Sequence, residues 1–320
     1  MKPSILVVGS IMSDLVLSVD RMPIAGESIV GGGYFTANGG KGANQAVTAA
    51  RIGADVTMVG CVGDDENGKR IIDCLKSEGI NISSIQVDAE SSTGLATIFL
   101  EPNGQNRIII NPGANLAITH EQIDKAIEHG CDALVLQLEI DSEMVIYAAN
   151  RAIQAGIPVI LDSAPAKEIE LERMKGLFVL TPNESEAQTL TGVELSDISA
   201  VQKAAEILKE RTDAKHVIIK MGNKGSYLYD GDAISHFESY IVEPVDTTAA
   251  GDSYTAALVY QYCLSGDIHK AIRFANVVGA LTVTKLGAQS SLPYANEVAD
   301  FISQRNIQIE KSEGSYSGRE

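Results

Sequence analysis

The run Ile5-Leu6-Val7-Val8-Gly9 is apolar without alternation, the pattern of a strand buried on both faces. Similar runs recur at 56–59, 133–138, 159–162, 177–181 and 217–221, and helix-patterned segments stand between them at 42–52, 68–78, 144–155, 200–211 and 253–264. Strands alternating with helices give βαβ units, so the expected fold is α/β: a single doubly wound, mostly parallel sheet flanked by helices over residues 1–302. Two stretches break this rhythm. Residues 15–36 and 93–111 show alternating, strand-like patterns, and Asn103-Gly104 between two such runs is a hairpin signal. They are expected to form a small β-sheet lid over the carboxyl ends of the main strands. The polar stretch 303–320 is expected to be a frayed tail. No internal repeat is visible.

A chain of 320 residues, 45% hydrophobic, can bury a full core. Its formal charge of −17 repels nucleic acid and anionic membrane, which excludes both as main partners but leaves room for a nucleotide arriving with magnesium. Cys61, Cys74, Cys131 and Cys263 are scattered, with no C-x-x-C and no clustered histidines, which fits buried thiols in a reducing cytoplasm and gives no zinc signature. The first apolar run is too short for a signal peptide or membrane span. His120, His129, His216, His236 and His269 fall at polar positions and are expected on the surface.

The chemistry concentrates in Asp246-Thr247-Thr248-Ala249-Ala250-Gly251-Asp252. A strand-like segment at 241–245 runs into small residues, then into an acid where a helix begins. The N–H groups of Ala249, Ala250, Gly251 and Asp252 are expected to be unpaired and to form an anion site reinforced by the helix dipole. A carboxylate beside such a site suits a base that deprotonates a hydroxyl attacking the bound anion, as phosphoryl transfer to an alcohol requires. The same residues also suit an ordinary Asp-capped helix after a Gly turn.

Asn38-Gly39-Gly40-Lys41-Gly42-Ala43-Asn44-Gln45-Ala46 is a second glycine-rich helix start, with Lys41 and Asn44 on its first turn, facing outward. It is not a Walker A loop, and the protein-kinase signatures are missing. Asp14, past the first strand, and Glu139, ending Leu136-Gln137-Leu138, stand at the sheet edge where open α/β sheets bind ligands. In Thr181-Pro182-Asn183-Glu184-Ser185-Glu186, Asn183 and Glu186 stand one turn apart at that edge, suited to phosphate and hydrated magnesium and equally to helix capping. Residues 60–67 read as helix initiation.

The order and spacing of these motifs, with Gly287-Ala288-Gln289 and Ser291 behind them, resemble the ribokinase-like carbohydrate kinases over roughly residues 4–302. The resemblance implies an ATP-dependent phosphotransferase acting on the 5-hydroxyl of a pentose, with D-ribose first and 2-deoxy-D-ribose as the alternative. Nucleoside or other sugar kinases, and a catalytically silent sugar sensor, are more distant. It makes Asp252 the general base and the amides of Ala249 to Asp252 the anion hole. It implies that Asp14, Gly40, Lys41, Asn44 and Glu139 hold the sugar. Asn183, Lys220, Gly222, Gly225, Gly251 and Asn276 would serve ATP, and Glu186 would reach Mg2+ through water. Asp246, Thr248, Thr282, Lys285, Gly287 and Ser291 would bind K+ as activator, mostly through backbone carbonyls. The lid would cover the sugar and build a homodimer.

One departure bears on the sugar. Where the family often carries Asn in the first sugar loop, this chain has Met12. A thioether donates no hydrogen bond and accepts only weakly, whereas it makes a good wall for a CH2 group. Met12 thus tilts the reading toward a 2-deoxy sugar.

Overall fold

The computed structural model describes residues 2–102, 106–166 and 169–310. In chain order the described strands are β1 (Ser4–Val8), β2 (Met12–Ser18), β3 (Tyr34–Gly39), β4 (Asp55–Gly63), β5 (Asn81–Asp88), β6 (Gly94–Leu100), β7 (Asn106–Asn111), β8 (Ala133–Leu136), β9 (Val159–Leu161), β10 (Val179–Leu180), β11 (His216–Lys220), β12 (Ser226–Tyr229) and β13 (Ile234–Phe237). The α-helices are α1 (Lys41–Arg51), α2 (Glu66–Ser77), α3 (His120–Glu128), α4 (Ser142–Gln154), α5 (Glu184–Thr191), α6 (Ile198–Thr212), α7 (Ala250–Ser265), α8 (Ile268–Thr282) and α9 (Ala295–Gln304).

The main sheet has the order β13-β12-β11-β10-β9-β8-β1-β4-β5. Its strands from β5 to β11 pair in parallel, and only β12 and β13 are antiparallel. The chain therefore winds outward from β1 through β4 and β5, then returns to β8 and winds the other way. The switch point lies between β1 and β8, where loops leave the strands' carboxyl ends in opposite directions and open a crevice. Alternation along the strands separates two cores, one per face: Leu6, Val8, Leu134 and Leu136 in one, Ile5, Val7, Ala133 and Val135 in the other. This is the expected doubly wound, mostly parallel sheet.

The lid is a separate sheet of order β3-β2-β6-β7. Its first strand begins at Met12, four residues after β1 ends, which hangs the lid at the switch point. On β2, Ser13 Oγ accepts a hydrogen bond from Arg70 Nη2 of α2 at 2.8 Å. Strand alternation puts Met12 and Asp14 together on the other face. The expected Asn103-Gly104 turn lies outside the described residues.

Several expectations need correction. Residues 241–245 form no strand: Pro244 has no N–H to donate, and the N–H groups of Val245 and Asp246 both turn to Val283 O, at 2.7 and 3.2 Å. Residues 60–63 continue β4, and Asp65 caps α2 by accepting from Gly68 N. His216 is buried at the start of β11, where burial pushes its imidazole pKa down to about 4. The boundary at 302 falls inside α9, and beyond it Ile307 and Ile309 pack against the core rather than fraying. Residues 311–320 lie outside those described.

Candidate active site

Helix α1 starts where β3 meets the loop after β1. Gly40 takes φ 89°, and a Cβ there would lie 2.8 Å from Met12 N, so only glycine lets the chain turn this close to the β1–β2 loop. The turn aims the first residues of α1 at the start of α7. Asn44 Nδ2 donates to Asp252 Oδ2 at 2.8 Å, and Lys41 Nζ stands 3.8 Å from Asp252 Oδ1. Lys41 and Asn44 thus face inward, contrary to the expectation from their place on the helix, because they meet the one acid on the first turn of α7.

Glu139, after β8, accepts from Ser10 Oγ at 2.6 Å and from Lys41 N at 2.9 Å. Asp14 leans over Gly39, where a Cβ would lie 2.3 Å from its Oδ2. Asp14, Glu139 and Asp252 are close enough to interact as like charges. Burial first, and then Glu139 and Asp252, push the Asp14 carboxyl up to about 7. Burial also raises the Asp252 carboxyl; the Lys41 ammonium opposes this, Asp162 adds to it, and the net direction is upward. Asp252 in turn, against the effect of burial, holds Lys41 well above the ordinary lysine range. Asn44 Oδ1 is buried without a hydrogen-bond partner among the described residues, an acceptor left for a ligand hydroxyl.

The first turn of α7 departs from expectation in one group. Ala250 N–H bonds Thr247 O at 3.3 Å, because Ala249, a non-glycine residue at φ 61°, turns the chain back on itself just before the helix. The N–H groups of Ala249, Gly251 and Asp252 have no acceptor among the described residues. A carboxylate, a lysine and unpaired amides in one place are equipped to take a proton from a hydroxyl while an anion sits beside it.

On the far side of Gly251 opens a cavity of about 610 Å3, whose walls include Lys220, Gly222, Gly225, Gly251 and Asn276. Tyr240, Ile241, Val242 and Pro244 give it an apolar wall. Asn276 shapes this wall instead of presenting free groups: its amide donates to Phe237 O and Glu238 O, and its Oδ1 accepts from Ser226 Oγ at 2.9 Å. Asn183 and Glu186 form a capping box on α5, in which Asn183 N and Nδ2 donate to Glu186 Oε2 and Oε1 at 2.8 and 2.7 Å. Asn183 also bridges to Lys220 in parallel register, which brings α5 beside the cavity floor. Burial raises the Glu186 carboxyl, and the Lys220 charge opposes this.

The expected cation loop is drawn together by Asp246, whose carboxylate accepts from Thr248 N, Thr248 Oγ1 and Gly287 N at 2.9, 2.7 and 2.8 Å. Burial works against these bonds, yet together they hold Asp246 below its ordinary pKa. Thr282 Oγ1 joins α8 to Ser253 Oγ of α7 at 2.8 Å, Ser291 Oγ donates to Ala288 O at 2.8 Å, and the Lys285 ammonium pairs with Glu297.

Reading from sequence missed Ser10, which links Glu139 to the start of α1, and Asp162, a buried carboxylate at the end of β9. Asp162 had the same signal as Asp14, an acid just past a strand at the carboxyl edge.

A family model described as pfkB family carbohydrate kinase matches residues 2–295. The chain is 38% identical over 303 residues to the ribokinase of Bacillus subtilis, covering 94% of this chain and 99% of that one. It is 35% identical over 302 residues to the deoxyribokinase of Salmonella typhi, covering 93% and 98%. A longer relative with two activities is matched over 58% of its own length. The solved structure of Arabidopsis thaliana ribokinase complexed with ribose and ATP aligns with TM-score 0.87 and 31% identity, covering 98% of this chain and 100% of that one. The match spans both the sheet that carries the acid-lysine-amide cluster and the lid that hangs over it, and on that ground the chain belongs to the pfkB family of carbohydrate kinases.

Proposed function

We propose that this chain transfers the γ-phosphoryl group of ATP to the 5-hydroxyl of D-ribose, giving ribose 5-phosphate and ADP. The observation that carries this reading is the Asp252 carboxylate, gripped by Asn44 and facing Lys41, on the helix turn that leaves the amides of Gly251 and Asp252 unpaired. Asp252 takes the hydroxyl proton. The hydroxyl oxygen forms its bond to the γ-phosphorus as the bond to the β,γ-bridging oxygen breaks, and ADP leaves with that electron pair. The amides of Ala249, Gly251 and Asp252 receive the charge on the transferring group. Asp14, Gly40, Lys41, Asn44 and Glu139 bind the sugar, with the 610 Å3 cavity taking the nucleotide. We treat the kinase domain as running through 302 to the end of α9 and the packed Ile307 and Ile309, with segments 15–36 and 93–111 as its lid.

Two cations belong to this reading. Among the described residues no cluster of three His, Cys, Asp or Glu side chains is placed to hold a metal ion. Glu186 has both oxygens engaged by Asn183, which fits Mg2+ reached through water and carried mainly by the nucleotide phosphates, whose charge it neutralises. The side-chain charges of Asp246 and Lys285 are spent within the protein, so the loop offers carbonyl oxygens, with Thr248, Thr282, Gly287 and Ser291, to a weakly charged ion such as K+. The exposed Ile108, Ile109 and Ile110 of β7 support a homodimer built through the lid. No described helix is long and apolar enough to cross a membrane, and the four free thiols fit a cytoplasmic protein.

A second acceptor, 2-deoxy-D-ribose, is favoured by Met12, which shares the site-facing side of β2 with Asp14. The test of the reaction is to follow ADP release and 31P resonances with ATP and three sugars: ribose, 2-deoxyribose and 5-deoxyribose. Turnover with one of the first two and none with 5-deoxyribose is expected. Equal ADP release with 5-deoxyribose would sink the assignment to the 5-hydroxyl.

A further inference from the structure

Asp162 is 1% exposed and stands at the carboxyl end of β9, between the sugar cluster and the nucleotide cavity. Its Oδ2 accepts from Gln45 Nε2 of α1 at 3.0 Å and from Thr255 Oγ1 of α7 at 3.1 Å. Its Oδ1 accepts from Lys220 Nζ at 3.0 Å. The Gln45 amide is fixed in turn, since its Oε1 accepts from Gln137 Nε2 at 2.6 Å, which leaves its NH2 group for Asp162. One carboxylate thus joins the helix that carries Lys41 and Asn44, the helix that carries Gly251 and Asp252, and a lysine of the cavity floor.

Lys220 is the group whose placement matters. Its Nζ lies 3.5 Å from the point a Cβ would occupy at Gly251, directly against the turn with the unpaired amides. An ammonium has three donors, and Asp162 is its one hydrogen-bond acceptor among the described residues. A buried ion pair adds little to stability compared with an apolar pair of the same size, so stability alone is a weak reason for placing one here. Lysine is also a flexible point charge with four rotatable carbons, and Glu186 is close enough to compete for it. Something must hold it over the turn.

We propose that Asp162 is a positioning residue for phosphoryl transfer: it holds the Lys220 ammonium against the first turn of α7, where the ammonium meets the terminal phosphate entering from the nucleotide cavity. This rests on the kinase reading above. Asp162 touches neither substrate; it acts through Lys220, and its bonds to Gln45 and Thr255 keep that lysine in register with the Asn44–Asp252 pair.

The test is a double-mutant cycle in the full chain, with Lys220→Met, Asp162→Asn and the pair together. Two readouts are needed: kcat with the better pentose, and the affinities of AMP and of a non-hydrolysable ATP analogue by titration calorimetry. Each single variant is expected to lower kcat about 10- to 100-fold, the loss of one preorganised charge, with KM for the sugar nearly unchanged. Both are expected to weaken the ATP analogue about tenfold and leave AMP unaffected, since only the terminal phosphate reaches Lys220. The double variant, which also removes the uncompensated buried charge of Asp162→Asn, is expected to be no slower than Lys220→Met. Multiplying effects, or wild-type kcat in Asp162→Asn, would overturn the proposal. So would equal weakening of AMP and the ATP analogue, which marks a merely structural role. Absence of any turnover by the wild type, with the ATP analogue still weakened selectively, would instead strike the kinase reading and leave this pairing standing.

Discussion

The sugar cluster and the nucleotide cavity share Gly251, yet they are made of opposite materials. On one side stand Asp14, Asp252 and Lys41, whose ionisation is linked through Asp252, with the Glu139 carboxylate beside them. On the other, the walls include Tyr240, Ile241, Val242, Pro244 and backbone, and among the described lining residues charge enters only at Lys220. A polyol needs its hydroxyls matched one by one, and an unmatched buried hydroxyl costs about 1–3 kcal/mol. A purine is held by apolar area, and its phosphates by amides that any small residue supplies. On the proposed reading, single side chains set the chemistry and specificity on the sugar side, and backbone shape sets affinity on the nucleotide side.

That contrast is open to attack from both ends. After the base itself, the largest effect is expected at Lys41. Lys41→Met removes a cation from beside Asp252 and should lower kcat/KM about 10²- to 10³-fold. Because the Lys41 charge favours ionised Asp252, its loss raises the pKa of the base, so the acid limb of the pH–rate profile moves to higher pH. A limb that stays in place would separate Lys41 from Asp252. On the cavity side, Gly225 has φ 86°, and a Cβ there would lie 2.0 Å from Phe237 O. Gly225→Ala should weaken ADP about 10- to 30-fold through backbone shift while sparing sugar binding. Sugar and ADP affinities falling together would mean the two halves are not separable.

Smaller effects sharpen the sugar side. Met12→Asn should move the ratio of kcat/KM for ribose over 2-deoxyribose about tenfold toward ribose, the worth of one hydrogen bond. An unchanged ratio would show that Met12 does not face the 2-position. Asp14 makes a prediction about stability. Its carboxyl ionises near 3.8 when unfolded and near 7 when folded, so the folded state holds the extra proton between those values. Stability is lost as pH rises through this window, and the penalty is complete above 7. Asp14→Asn, which stays neutral, should raise the melting temperature by a few degrees at pH 8 and leave it unchanged at pH 4. Equal shifts at both pH values would rule out the charge as the cause.

The same division explains what was legible in the sequence. The amide turn and its acid must be contiguous, so Ala249 to Asp252 could be read as a unit, as could the start of α1. The parallel sheet and the lid were legible because two-sided burial and period-two alternation leave different patterns. Asp162 shared the strand-edge position of Asp14, but its three partners lie 117, 93 and 58 residues away in sequence, so nothing local showed what it holds. Residues 241–245 were read as a strand because apolar residues that line an open cavity look like residues that line a sheet. His216 was taken for a surface residue because a polar side chain at the start of a buried strand carries no pattern of its own.

The claim on which the rest depends is that Asp252 is the base. Wild type and Asp252→Asn should be compared in kcat for ADP release at saturating pentose, alongside their ADP affinities. The substitution preserves the side chain's size and its contact with Asn44 while removing the proton acceptor. We expect kcat to fall about 10³-fold with ADP affinity within about twofold of wild type. A variant that turns over within about tenfold of wild type would contradict the account.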